Sequence, residues 1–464
     1  MNTQTKIQHF YWRAGFGRSP QEWKIQEHYT LQQAIDQFFG QADQAEALPD
    51  KNVYKNASAS GEKMTKEDKR QFMKMARKMV MVQNKEWVER MADPQQSALL
   101  EKMTLFWHGH FACITKMPNL AYRQIRAIRQ HALGNFRDLV LAMAKDVSMI
   151  RFLNNQQNRK QKPNENFARE LMELFTIGRG NYTETDIKEA ARAFTGWSSN
   201  FRGTFKFKTR HHDFGEKTFM GRTGKLGGEE IIDILLEQRE TAEFICRKVY
   251  RYFVNENVAE DRVRELADQF YRSNYDIRAL MYTVFTSDWF YAPQNIGAKI
   301  KSPVELMAGM MRTLGVQFKK PAGVLFAQRA LGQVLFAPPN VAGWPGGQAW
   351  IDNSTLMLRL NLANYLFLAT DVPFAVKPEF EAEAQKRGKA LRKLDASLDL
   401  QPLLALYQNQ APPAIFEAMK NYLLMRSKNI DADLFRDFVQ TTDRETYIKN
   451  LAVRMMSVPE YQLC

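Results

Sequence analysis

Cysteine is scarce in this chain: three residues in 464, at positions 113, 246 and 464, with no CxxC spacing. Isolated thiols exclude a cysteine-built zinc module and give no disulfide framework. Histidine is also sparse, at seven. There is no GxSxG, no P-loop and no HExxH, which removes the nucleophile elbow, the Walker phosphate cradle and the helical zinc-protease site. No window approaches the ~18 uninterrupted apolar residues of a membrane span. The first twenty residues lack the apolar run of a secretory signal, so the expectation is a soluble, cytoplasmic chain. The glycine pair in Arg13-Ala14-Gly15-Phe16-Gly17 follows no strand pattern and lacks a third glycine, which argues against a dinucleotide fold.

What is present points to a sizeable core. Hydrophobic residues make up 45% and aromatics 12%, too many for disorder. The length allows two or three average domains or one large helical unit. A formal charge of +14 admits an acidic partner: nucleic acid, an anionic polymer, a phosphorylated or sulfated substrate, or a membrane surface. It equally admits a basic, solvated surface with no partner, because charge alone carries no specificity.

Periodicity predicts a mainly α protein, a large bundle-like unit with a small β-hairpin insert at about 204–220. Ser19-Pro20-Gln21-Glu22 is a capping box that should start a helix reaching about Phe39. Polar residues 41–62 read as a surface loop. Helical patterns cover about 66–91, Leu99 to Phe106 and beyond, 229–254, 261–271, 277–285, 304–314 and 354–368. Arg123, Arg126 and Arg129 recur at steps of three, as a wet basic edge or an anion-facing stripe. The Gly/Pro-dense stretch 332–350 must be irregular. The expected organisation is a main helical domain over 1–372, with a C-terminal helical segment over 373–464 packed on it and a boundary near Pro373–Pro378.

The stretch from Asn164 to Trp197 is the leading site candidate. It reads as two short helices, the first capped by Asn164 and stopped at Gly178, the second capped by Thr183 with Asp186 and closed by Gly196. At ~100° per residue, Phe167, Leu171 and Leu174 share one face while Asn166, Arg169, Glu170 and Glu173 share the other. Glu170 and Glu173, one turn apart, resemble carboxylates that helical bundles present to a metal. An i,i+4 ion pair between Arg169 and Glu173 explains the same spacing without a site.

Four of the seven histidines fall in two groups, His108 with His110 and His211 with His212-Asp213. Imidazole is the usual neutral-pH acid–base group and metal ligand. If residues 108–110 are extended, the two rings can share a divalent metal; if helical, they diverge by ~200°. Lys217 is placed to bind an oxyanion or to lie as a strand-edge charge. Trp344 and Trp350 are placed to form an aromatic platform for a sugar or base, or to pack as a lid on the core.

Several of these segments resemble the bacterial domain of unknown function 1800 family (DUF 1800). They are Arg13-Ala14-Gly15-Phe16-Gly17, Trp107-His108-x-His110-Phe111, Ala132-Leu133-Gly134-x-Phe136-Arg137-Asp138-Leu139, and Pro163-Asn164-Glu165-Asn166-Phe167-Ala168-Arg169-Glu170-Leu171. Gly180-Asn181-Tyr182-Thr183-Glu184, Phe194-Thr195-Gly196-Trp197, His212-Asp213-x-Gly215-x-Lys217-Thr218 and Pro338-Pro339-Asn340-Val341-x-Gly343-Trp344 continue the pattern in the family's order. The resemblance implies no firmly assigned activity. It does imply a periplasmic or exported location and a sulfatase- or phosphatase-like partner protein.

Three functional readings follow. The first is an enzyme in which Asn166, Arg169, Glu170 and Glu173 meet His108 or His110 and His212-Asp213. It would carry out metal-assisted or acid–base hydrolysis or transfer on an anionic or saccharide substrate, with Arg169 and Lys217 holding negative charge. The second is a non-catalytic binding or assembly protein for an acidic polymer or the sulfatase-like partner. The third, nucleic-acid binding, rests on charge alone.

Overall fold

The computed structural model describes residues 2–49, 65–115, 117–200, 203–368, 394–427, 429–438 and 443–464. The expected boundary near Pro373–Pro378 and most of the expected 41–62 loop lie outside them. Helices dominate, joined by small two-stranded antiparallel sheets. Among the described residues, no helix is long and apolar enough to cross a membrane.

Capping chemistry decides where many helices begin. Ser19, Thr30, Thr65, Thr183 and Ser302 each cap a helix reciprocally with the residue three positions on, satisfying amide groups that the helix itself cannot. The box at Thr30 is the reason the expected 19–39 helix is two helices, Pro20–Ile25 and Leu31–Asp43. The expected 229–254 helix also splits, into Gly228–Leu236 and Arg239–Phe253. There the hydroxyls of Tyr275 and Tyr271 donate to the Leu236 and Glu237 carbonyls. Those carbonyls at the helix end are satisfied by residues 34 and 39 positions downstream, which no local pattern reveals.

The Lys66–Ala92 helix packs against Ala98–His110, Pro118–His131, Pro303–Leu314 and Pro321–Leu331. One contiguous cluster of buried apolar side chains runs from Ile7 to Tyr461 and includes C-terminal helices Pro412–Leu423 and Arg444–Met456. The three cysteines are buried free thiols, Cys113 and Cys246 inside it and Cys464 in a small cluster with Trp12, Ile296 and Met425. Arg129, read as part of a wet edge or anion stripe, is instead buried, with Nε donating to Glu101 at 2.7 Å.

The single hairpin expected at 204–220 is two. Phe205–Phe207 pairs back with Trp197–Ser199, and Lys217–Phe219 pairs forward with Arg222–Gly224. Alternation identified the strands; it carries no information on which strand each one joins.

Near the start of the chain lies a buried ionic hub. Glu305, 1% exposed, accepts from Lys102 at 2.5 Å, from Lys299 at 2.6 Å and from its own cap amide, Ser302 N, at 2.7 Å. Lys102 also donates to the Gly15 and Trp12 carbonyls. Lys301 sits 3.6 Å from the Trp12 ring centroid and donates to Tyr461 O, while Arg359 donates to Lys301 O. Burial alone would raise the Glu305 carboxyl, but Lys102 and Lys299 outweigh it and hold the group below the ordinary carboxylate range. Burial pulls the Lys301 ammonium down to about 7.

Glu305→Gln strands two buried ammonium groups, so it should destabilise the fold by ~3–5 kcal/mol in urea unfolding at pH 7. Because the folded carboxyl is depressed, the advantage over the variant is complete above the unfolded value near ~4.3 and shrinks as the pH falls below it. A difference that stays constant down to pH 3 would contradict this.

Candidate functional site: the loop-built aromatic cleft

The first of the two central helices begins at Asn166, two residues after the expected cap. Asn164 Oδ1 still serves the turn by accepting from Asn166 N at 3.1 Å. Phe167 and Leu171 are buried, with the Phe167 ring 4.9 Å from that of Phe194. From Leu171 to Phe175 the backbone widens into a π-helical turn. Ile177 N and Gly178 N then both donate to Met172 O, with Gly178 at φ +79 against the Phe244 ring. Turns of this kind are not encoded by hydrophobic spacing.

The π turn changes the partners on the polar face. The anticipated Arg169–Glu173 pair is absent. Arg169 instead donates to Glu184 at 2.8 and 2.9 Å and to Glu165 at 3.1 Å. Glu173 pairs with Arg179 and accepts from Tyr182 Oη at 3.1 Å. Glu170 makes no ion pair among the described residues; partial burial and then Glu173 raise its carboxyl. Asn166 is exposed.

Residues 108–110 are helical, the end of Ala98–His110, and the two imidazoles diverge. His108 packs its ring against Trp87, Phe336 and Trp344. Its Nε2 accepts from Phe336 N at 3.2 Å, and burial pushes it down to about 3. His110 does reach the central helix, but at its backbone. Nε2 donates to Phe175 O at 3.1 Å, and Nδ1 accepts from Lys248 Nζ at 3.1 Å. Lys248 also donates to Leu174 O at 2.8 Å and is pulled down to about 7 by burial and then by Arg251. Sequence reasoning missed Lys248, whose only signal is a cation beside an apolar stripe. No group of three or more His, Cys, Asp or Glu placed to hold a metal occurs among the described residues.

His212 and Asp213 are held at the other end of the second helix, Glu184–Ala193. Asp213 accepts from Arg192 Nε and Gly215 N, both at 2.8 Å. Arg169 anchors at Glu184 and Asp213 at Arg192, ~12 Å apart along that helix at 1.5 Å per residue. The acid face and the His212-Asp213 pair therefore do not form one site. Lys217, 1% exposed, donates to the Asp213 and Gly215 carbonyls at 2.7 and 3.0 Å. It staples that turn rather than facing an oxyanion. Trp350 is buried, and Trp344 lies on His108, so the two tryptophans form a lid and not an open platform.

His212 does line a cleft of about 310 Å³, with Trp197, Phe205, Phe207, Lys145, Gly227, Gly228, Glu229 and Glu230. The first hairpin supplies the aromatic wall. Gly228 opens the Gly228–Leu236 helix where any Cβ would overlap the Phe194 and Trp197 rings, so a glycine there lets Trp197 lie against the helix start. The His212 Nδ1–H donates to Thr195 O at 2.8 Å. A carbonyl can only accept, so the lone pair is left on Nε2. Burial lowers this imidazole from its ordinary value, keeping it neutral at pH 7. Lys145 Nζ lies 5.7 and 5.8 Å from the Trp197 and Phe205 ring centroids and 2.7 Å from Glu229. Glu230 accepts from Gly227 N at 3.1 Å.

A larger groove, about 640 Å³, is lined by residues such as Glu86, Arg90, Asp93, Arg312 and Asp399. It contains no aromatic ring and no histidine, and Arg312 is spent on Glu22 at 2.6 Å. The smaller cleft has the better chemistry, because specific pockets pair apolar walls with a few convergent polar groups.

A mainly helical protein with a loop-built aromatic cleft is the class this geometry defines. The chain belongs to the family described as "Protein of unknown function (DUF1800)", which it matches over residues 9–463. No functionally curated protein and no solved structure matches it.

The Pro338–Trp344 motif is fixed by contact with the histidine helix. Gly343, at φ +83, rests on the Gly109 carbonyl, where a Cβ would overlap the oxygen. Gly332, at φ +92, has open space around it. Gly332→Ala should cost roughly 1–2 kcal/mol for backbone strain alone. Gly343→Ala should cost more than Gly332→Ala in parallel urea titrations, because it also lifts the loop off the helix. Equal costs would show that the close approach is not felt.

Proposed function

We propose that the protein binds a saccharide in the Trp197/Phe205/Phe207/His212 cleft. The observation that carries this reading is an aromatic wall edged by both donors and acceptors. Lys145 donates, while His212 Nε2, Glu229 and Glu230 accept. A sugar ring offers apolar C–H faces for the wall and hydroxyls for the rim, and each hydroxyl both donates and accepts. A cationic ligand fits worse. The rings already have an ammonium, Lys145, within 6 Å, and a second cation would be repelled.

One observation favours a catalytic version, acid–base hydrolysis or transfer on the bound saccharide. A neutral imidazole with a free Nε2 lone pair is a competent general base. Glu173 would then hold the central helix through Arg179 and Tyr182, and neither it nor Glu170 would take part in the chemistry. The metal-assisted version has no ligand set among the described residues.

Calorimetric titration with a panel of oligosaccharides tests the binding. Trp197→Ala and Phe207→Ala should each weaken it at least about fivefold, given ~1–3 kcal/mol for a stacked ring. A panel without a single binder, or binding indifferent to both variants, would overturn the reading. Affinity should be flat through neutral pH and fall only below the ordinary histidine value of ~6.5, as His212 gains a proton and loses its acceptor. His212→Gln should remove that dependence. Product formation from a bound oligosaccharide that is abolished by His212→Gln, with binding retained, would select the catalytic version.

A further inference from the structure

Beside the cleft lies a patch of cations without acids. Arg159, Lys160, Lys162 and Arg210 are exposed and Lys208 is half-exposed. None of the five forms an ion pair among the described residues. Several arginines elsewhere on the surface do have acid partners. Arg137 pairs with Asp233, Arg222 with Glu237, Arg239 with Asp268, Arg247 with Glu260 and Arg278 with Asp43.

The backbone gathers the five deliberately. Lys160 N donates to His211 O at 2.8 Å, pinning the 159–162 turn onto residues 209–211. Arg159 and Lys162 form an isolated antiparallel bridge, and Lys208 N donates to Gly196 O at 2.8 Å. The His211 imidazole registers the crowding: slight desolvation, then Arg159, Lys208 and Lys160, lower it. The patch adjoins the cleft along the chain, since Phe207 and His212 line the cleft and Lys208 and His211 are their immediate neighbours in sequence. Like charges gathered without counter-charges repel one another and raise the local concentration of anions.

Resting on the saccharide reading above, we infer that the ligand is a polyanionic saccharide, sulfated or uronic, with one sugar unit in the cleft and its anionic neighbours along Arg159, Lys160, Lys162, Lys208 and Arg210. Glu229 and Glu230 at the cleft rim set the register. They accept hydroxyls and repel anions, so the seated unit presents hydroxyls and the charged groups fall on the flanking units. The same two carboxylates disfavour a nucleic acid, which carries a phosphate at every unit.

The test uses the full chain and matched pairs of probes: sulfated and unsulfated oligomers of the same glucan and galactan, with a single-stranded oligonucleotide of similar length. The sulfated member of a pair should bind at least tenfold more tightly at low salt, with log affinity falling linearly against log salt. Lys160→Ala/Lys162→Ala/Arg210→Ala, checked for an unchanged thermal melt, should remove most of the advantage of the sulfated oligomer over its unsulfated partner and reduce that slope by about 2. Trp197→Ala should weaken both members of a pair. If unsulfated oligomers bind through Trp197 and sulfation adds nothing, this inference fails while the cleft reading stands. If no oligomer binds, the cleft reading fails and carries this one with it. An oligonucleotide bound as tightly as the sulfated oligomer, and lost in the triple variant, would overturn the saccharide assignment.

Discussion

The fold is organised around one carboxylate that cannot be let go. Glu305 holds two buried ammonium groups and caps its own helix. Through Lys102 it fixes the Ala98–His110 helix to the Trp12–Gly15 turn. An uncompensated ammonium in such a place is costly, whereas a paired one is close to neutral in net free energy. The hub therefore selects an arrangement more than it adds stability, and helices far apart in sequence must be assembled before Lys102 meets Glu305. The aromatic roof over Lys301, from Trp12 and Tyr461, draws residues near both ends of the sequence into the same place.

Much of the helical frame was legible because helix starts carry local chemistry. Ser19 with Glu22 and Thr183 with Asp186 announce themselves within four letters, and both capping boxes form. What could not be read depends on partners remote in sequence. The break after Leu236 is supported by Tyr275, and the hairpin at Trp197 depends on which strand meets which. The π turn at 171–175 is a third kind of failure. It alters the winding without altering the composition, so the ideal 100° wheel placed Arg169 beside Glu173 when the folded chain gives each a different partner.

The candidate site was legible in its parts and not in its assembly. His212 lines a cleft, but its companions there are Trp197, Phe205 and Phe207 rather than the acids of the 166–175 helix. The alternation of Phe205 and Phe207 was visible, yet alternation says only that two rings share a face. That the face is turned toward Gly228 and Lys145 follows from tertiary packing. His110 came nearest to the expected convergence. It arrives at carbonyl groups freed at the end of the π turn, in company with a lysine that the letters gave no reason to notice.

Lys145 gives the cleft a property that a bare aromatic groove would not have. It is tethered by Glu229 and lies within reach of both ring faces, so the unliganded groove is already partly filled by the protein itself. An arriving guest is then an exchange partner: affinity becomes a difference between two occupants, and the resident amine stands ready to return when the guest lifts. Departure is thereby assisted as much as arrival.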